Sequence, residues 1–240
     1  MDIEHNNSYP DGIPHVSVVI STFNKAGLLE ATLSSIRENI TNIPYEIVVV
    51  DDGSIDNTID ICKRYGCIYV WLDSPSYRNP SVPRNVGART ARGKILIMQS
   101  DDVLHKKVDT IDKLSDIQRG EVKFATVYNV DDARNHLQLY IGKDNNRPLF
   151  FLGSMHKDDF WAIGGNDEDF ISPGYEDEFL GELIKKNYQI EYCDDVTGYH
   201  QNHARPSNLS KLVEPSRLLF QEKMKELENE CLLVRKNISS

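Results

Sequence analysis

Apolar residues in the first hundred positions gather into short continuous runs, separated by polar stretches or by apolar positions at helical spacing. VSVVIST (16–22) is unbroken and β-branched, the pattern of a strand buried on both faces. Leu28, Leu29, Leu33 and Ile36 then fall on one side of a predicted helix, Ala26 to Asn39, with Asn24 as its candidate cap. YEIVVVDDGS (45–54) predicts a second buried strand, and Asp56 or Asn57 can cap the helix that follows to Tyr65. CIYVWL (67–72) and KILIMQ (94–99) predict a third and a fourth strand. Between them lie a loop with three prolines, DSPSYRNPSVP, and a helix from Arg84 to Ala91.

This alternation is the signature of βαβ units, hence of an α/β fold with a parallel sheet covered on both faces. In such sheets ligands bind beyond the carboxyl ends of the strands. Asp51-Asp52 and Asp101-Asp102 both stand at such ends. The second half is less regular. It predicts strands at 122–130 and 137–142, and a strand with a short helix over 148–165. A loop enters a helix over 174–188, and one more strand lies within 189–203. A C-terminal helix is expected from Glu214 to Lys236, with Pro215 in its first turn. Residues 1–14, rich in Asn, Asp, Pro and Gly, read as a flexible lead.

Composition narrows the class of partner. The 240 residues carry a formal net charge of -10, which excludes a nucleic-acid footprint. An acidic protein that binds a nucleotide usually needs a cation to bridge carboxylates and phosphates. The four cysteines, Cys62, Cys67, Cys193 and Cys231, fit no zinc spacing and are expected as reduced thiols. No signal peptide and no apolar run long enough to span a membrane are evident. The expected location is therefore cytoplasmic, with peripheral attachment to a membrane left open.

Each chemical candidate also has an ordinary reading. Asp52 can accept a hydrogen bond from a base or ribose, or close a turn. Asp101-Asp102 can hold Mg²⁺ or Mn²⁺, or cap a helix. Arg84, with Asn85 and Gly87, begins a helix after Pro83 and can meet an anion, or simply lie on the surface. Glu176-Asp177-Glu178 can supply a general base, or the usual acid of a first helical turn. His200 and His203 can ligate a metal, or face solvent in a polar loop.

Their order is more telling than any one of them. STFNK (21–25), VVVDDGS (48–54), PRNVG (83–87), ILIMQSDD (95–102), IGGNDEDF (163–170), GYEDEF (174–179) and YHQ (199–201) follow one another along the chain. Over residues 15 to 203 this resembles family 2 glycosyltransferases of the GT-A fold. That resemblance implies a Rossmann-like, mostly parallel central sheet flanked by helices, with a smaller mixed region on the acceptor side. Residues 15–104 would form the nucleotide-binding half and 105–210 the acceptor and catalytic half, followed by the helix of 211–240.

The resemblance also implies roles. Thr22 and Asn24 would lie beside the nucleotide, Asp51 and Asp52 would hold its base, usually uracil, and Arg84 would reach it. Asp101 would be the metal-binding acid, with Asp102 beside it on the donor. His200 would be the further ligand, with His203 as its substitute, and the ion would be Mn²⁺ or Mg²⁺. Asp177 would be the general base and Glu176 would orient a substrate. The implied reaction moves a sugar, with inversion, from a nucleotide diphosphate donor (UDP favoured) to a hydroxyl of a glycan or other acceptor. Two departures stand out. Gln99 occupies a place where the family often has Asp, and is expected to weaken metal affinity. Asn166 replaces an aromatic that often packs near the acceptor.

Two other functions are weighed. A sugar nucleotidyltransferase would favour a glycine-rich, basic loop where this chain has STFNKAG. A non-catalytic nucleotide-sugar binding domain has no need to keep both Asp101 and Asp177. Phe220, Met224, Leu227, Cys231 and Val234 form a heptad-like seam of about two heptads, short for a coiled coil. The favoured reading packs this helix on its own domain, and the second makes it a weak homodimer contact.

Overall fold

The computed structural model describes residues 2–4, 12–74, 79–131, 133–204 and 207–238. Its first half follows the predicted alternation: β1 (Asp2–Glu4), β2 (Val16–Thr22), α1 (Ala26–Arg37), β3 (Tyr45–Asp51), α2 (Thr58–Arg64), β4 (Ile68–Trp71), α3 (Ser81–Thr90) and β5 (Ile95–Ser100). The second half adds β6 (Val103–His105), α4 (Thr110–Ser115), β7 (Glu121–Val130), β8 (His136–Ile141), β9 (Leu152–His156), α5 (Lys157–Ala162), α6 (Glu176–Asn187), β10 (Gln189–Gln201) and α7 (Leu209–Ile238).

One sheet runs through both halves in the order β1-β4-β3-β2-β5-β9-β7-β10-β6, with β8 on β7. β4, β3, β2 and β5 are parallel, as the buried β-branched runs require. Beyond β5 the sheet is mixed: β9 is antiparallel to β5 and β7, and β10 is parallel to β7. The mostly parallel sheet is thus a property of the first half. The chain leaves β2 toward β3 on one side and returns to β5 on the other, so the strand order reverses between β2 and β5. That reversal opens a crevice at their carboxyl ends, the place where open α/β sheets take ligands.

Direction follows from the pairings. β10 runs the same way as β5, so His200 and Gln201 end at the same sheet edge as Ser100. Only Tyr188 separates α6 from β10, so α6 starts at that edge too. The core lies between sheet and helices, where Val18, Ile20, Ile47, Val49 and Ile97 meet Leu29, Leu33, Ile36 and Ile61. Gly87 lets α3 lie close on the sheet, since a Cβ there would stand 2.4 Å from Val19 Cγ1.

Several sequence expectations are corrected. The lead over 1–14 contains β1, whose backbone pairs antiparallel with β4. Asn24 does not cap α1: it adopts φ 52°, and its side chain accepts from Ile55 N–H at 2.9 Å. Asp56 instead accepts from Ala26 N–H at 3.0 Å and from Thr58 N–H at 3.2 Å, tying the starts of both helices together. α3 begins at Ser81, with Pro83 in its first turn, where a missing N–H costs nothing. α7 begins at Leu209, which leaves Pro215 inside the helix. β6 and α4 were not foreseen, being too short for periodicity to declare them. Cys62, Cys67 and Cys193 are buried free thiols, and the side chain of Cys231 lies outside the described residues.

Candidate active site

The crevice is closed at its base by side chains from β2 and from the turn after β5. Thr22 Oγ1 donates to Asp101 Oδ2 at 2.9 Å, and Thr32 Oγ1 donates to the Asp101 carbonyl at 2.9 Å. Lys25 Nζ reaches Asp101 Oδ1 at 3.1 Å and Asp102 Oδ2 at 2.8 Å. Asp101 is therefore held by a hydroxyl and an ammonium. Burial nonetheless pushes its carboxyl up to about 6, with Lys25 opposing and Asp102 adding to the rise. Burial works against the Lys25 ammonium too, but the two carboxylates outweigh it and hold its pKa above the ordinary lysine value.

Asp102 faces the other way. Its Oδ1 lies 3.5 Å from His200 Nε2 and its Oδ2 3.2 Å from His203 Nε2. The three ligand atoms lie within 4.8 Å of one another. The expected metal pair was Asp101 with His200, with His203 in reserve; the carboxylate that meets both histidines is Asp102. Both acids stand in the turn after β5 and share Lys25, but Asp101 lies against Thr22 of β2 while Asp102 lies against His200 and His203.

The donor set suits a divalent ion. His200 Nδ1 meets Asn129 Oδ1 at 2.8 Å and His203 Nδ1 meets the Ala204 carbonyl at 3.0 Å. Each acceptor fixes a proton on Nδ1, so in the neutral rings the bare Nε2 lone pairs aim at Asp102. Asp102 Oδ1 is buried without a hydrogen-bond partner. A carboxylate oxygen facing an imidazole lone pair calls for a cation or a proton between them. Without an ion, burial would raise the Asp102 carboxyl, but His200, His203 and Lys25 outweigh it and hold it well below the usual range. Asp102 in turn raises His203.

Gln99 is turned away from this cluster. Its Nε2 donates to the Val103 carbonyl at 2.6 Å and its Oε1 meets His105 Nε2 at 2.9 Å. Asn39 Nδ2 contacts His105 Nδ1 at 2.9 Å, which makes that nitrogen the acceptor and Nε2–H the donor. Burial pushes His105 down to about 3, in keeping with a neutral ring. Gln99 thus serves the fold behind the crevice.

The acids of α6 form the other part. Gly174 and Tyr175 have φ 81° and 68°, and this left-handed pair swings the chain into α6 at Glu176. A non-glycine residue held there stores strain that the surroundings must impose. Arg84 Nη1 ion-pairs with Asp177 and lies 3.4 Å from Glu176 Oε1. Asn79 Nδ2 donates to Glu176 Oε2 at 2.9 Å. Burial pushes the Glu176 carboxyl up to about 7, Asp177 adds to this, and Arg84 opposes it. Arg84, expected to reach a nucleotide, is buried with its Nη1 against these two acids.

At the end of β3, Asp51, expected with Asp52 at the base of the nucleotide, already accepts a hydrogen bond on each oxygen. Tyr69 OH donates to Oδ2 at 2.7 Å and Ser54 N–H to Oδ1 at 2.8 Å. Asp52 is buried at the mouth of the crevice, where its N–H donates to the Thr22 carbonyl at 2.9 Å. Gly53, at φ 94°, makes the turn, and a Cβ there would stand 2.3 Å from the Ser74 carbonyl oxygen. Lys25, Asn79 and Asn129 escaped the sequence reading. Lys25 closes the STFNK motif and was legible as a cation beside a strand end. Asn79 and Asn129 carried no signal, because only the tertiary fold sets them against Glu176 and His200.

A switch-point crevice with an acid pair, and a second acid pair at a helix start on the same sheet edge, defines a GT-A glycosyltransferase fold. The sequence profile of Glycosyl transferase family 2 matches residues 17–161, and the chain belongs to this family. Validoxylamine A glucosyltransferase of Streptomyces hygroscopicus subsp. jinggangensis is 30% identical over 251 residues, covering 84% of this chain and 59% of that protein. This chain thus spans about three-fifths of that relative's length. TarP of Staphylococcus aureus, a poly(ribitol-phosphate) β-N-acetylglucosaminyltransferase, is 34% identical over 97 residues, 38% of this chain and 30% of that protein. Among solved structures, S. aureus TarS 1-349 in complex with UDP-GlcNAc aligns with a TM-score of 0.61 at 19% identity, over 80% of this chain and 59% of that one. The mannosyltransferase PcManGT of Pyrobaculum calidifontis, in complex with GDP-Man and Mn2+, aligns at 0.57 and 23%, over 82% and 59%. Among the described residues no helix is long and apolar enough to cross a membrane.

Proposed function

We propose that this chain transfers a sugar from a nucleotide diphosphate donor, UDP-linked by preference, to a hydroxyl of a glycan or similar acceptor, with inversion at the anomeric carbon. The observation that carries this reading is the convergence of Asp102, His200 and His203 at the carboxyl edge, with ligand atoms within 4.8 Å. These residues would hold Mn²⁺ or Mg²⁺: one hard carboxylate and diphosphate oxygens suit either, and two imidazoles favour Mn²⁺. When bound, such an ion neutralises the charge that develops on the leaving diphosphate.

The protein's own groups do the rest. Thr22 and Asp52 flank the crevice where the nucleoside would lie. Asp177 takes the proton from the acceptor hydroxyl as its oxygen bonds to the anomeric carbon and the sugar–phosphate bond breaks. Arg84 fixes the Asp177 carboxylate before the acceptor arrives. Glu176, clamped by Asn79, orients the acceptor or the donor sugar. Release of UDP or GDP from a panel of UDP- and GDP-sugars, with and without Mn²⁺, tests the reading. UDP release dependent on the ion supports it, and turnover unaffected by chelator removes the metal from it.

A further inference from the structure

Lys25 has no place in the chemistry so far, yet its ammonium sits in the middle of it. Its Nζ lies 2.8 Å from Asp102 Oδ2, and the same oxygen lies 3.2 Å from His203 Nε2. A divalent ion bridging Asp102 and His203 would need that oxygen too. The Lys25 backbone is fixed on either side: Ser54 Oγ accepts from Asn24 N–H at 2.8 Å, and Asp56 accepts from Ala26 N–H at 3.0 Å. Its side chain is a flexible stem, 31% exposed, with a second partner in Asp101 Oδ1 at 3.1 Å.

We propose that Lys25 is a built-in competitor of the divalent ion: it neutralises the Asp101–Asp102 pair while the site is empty, and it must release Asp102 when the ion is loaded. The inference rests on the metal reading above. Two adjacent buried carboxylates repel, and without a cation the empty crevice would not stay preformed. The ammonium supplies that charge at the cost of ion affinity. With an ion loaded, Lys25 would keep Asp101, and its freed N–H donors would face the incoming diphosphate. Ion and donor therefore enter together, and the ion alone binds weakly.

Manganese binding to the full chain, followed by electron paramagnetic resonance of free Mn²⁺ without nucleotide, tests this. Lys25→Met keeps the stem and removes the charge. It should tighten Mn²⁺ binding about ten-fold or more, because a like charge a few ångströms from the ion is lost. Lys25→Arg should stay near wild type. Affinity of Lys25→Met equal to or weaker than wild type overturns the inference. Asp102→Asn in each background locates the ion. Should no variant bind Mn²⁺, or should Asp102→Asn leave binding intact, the metal reading itself fails and takes the inference with it. A second measurement needs no variant: in the wild-type chain, Mn²⁺ with UDP omitted should raise acetylation of Lys25 by acetic anhydride several-fold, read by peptide mass spectrometry. Labelling that stays constant at saturating Mn²⁺ counts against it equally.

Discussion

The ring centroid of Tyr175 lies 5.5 Å from that of Phe220, so α7 packs on the residue that leads into α6 and its first acids, Glu176 and Asp177. Ser216 Oγ donates to the Ser172 carbonyl at 2.7 Å, and Lys223 pairs with Asp167 at 2.7 Å and Asp169 at 2.8 Å. Phe220, the first residue of the heptad-like seam, is thus used within its own domain. Phe220→Ala should lower stability by about 1–2 kcal/mol, less than the roughly 3–5 of a fully buried phenylalanine. It should also slow turnover, because Tyr175 loses what imposes its backbone. Urea unfolding and initial rates check this, and light scattering should show an unchanged mass.

Asp177 is the group whose loss should stop chemistry while sparing donor binding. Asp177→Asn keeps the shape and removes the base, and turnover should fall about 10²–10⁴-fold. Calorimetric titration with UDP should give an affinity close to wild type. A variant that turns over normally would move the base elsewhere, with Glu176 the nearest alternative.

Glu176 makes stability depend on pH in a defined direction. Its carboxyl is pushed from an ordinary 4.5 up to about 7, chiefly by burial. Between those values the folded chain keeps a proton that the unfolded chain releases. The contribution to stability is therefore full below about 4.5 and is lost as pH rises through about 7. Urea midpoints of Glu176→Gln, measured at pH 5 and pH 8, should show that variant gaining on wild type at the higher pH.

Gln99 invites a substitution that should fail. Gln99→Asp puts an acid two residues before Asp101, as the family resemblance suggests, yet the side chain faces His105 and the Val103 carbonyl. The change removes a buried donor and should cost about 1–3 kcal/mol. Mn²⁺ affinity should not rise. A tighter ion in Gln99→Asp would show that residue 99 reaches the cluster after all.

Much of this protein is legible in its sequence. The buried runs 16–22, 45–51 and 94–99, interleaved with helical periodicity, determined a parallel α/β layer, because continuous β-branched strands must be covered on both faces. The positions of the acids at strand and helix ends followed from the same pattern, and their order pointed to the family. Sequence alone did not divide the labour within each pair. Asp101 and Asp102 are equivalent in a string of letters, and only the side on which β10 lies turns Asp102 toward His200 and His203, leaving Asp101 to Thr22 and Lys25. In the same way only the fold sets Asp51 against Tyr69 and Ser54, and Arg84 against Glu176 and Asp177, across separations of up to 93 residues. Local sequence determines which residues reach the edge of the sheet, since that depends on short-range periodicity. What each one meets there depends on strand order and register, which only the tertiary structure decides.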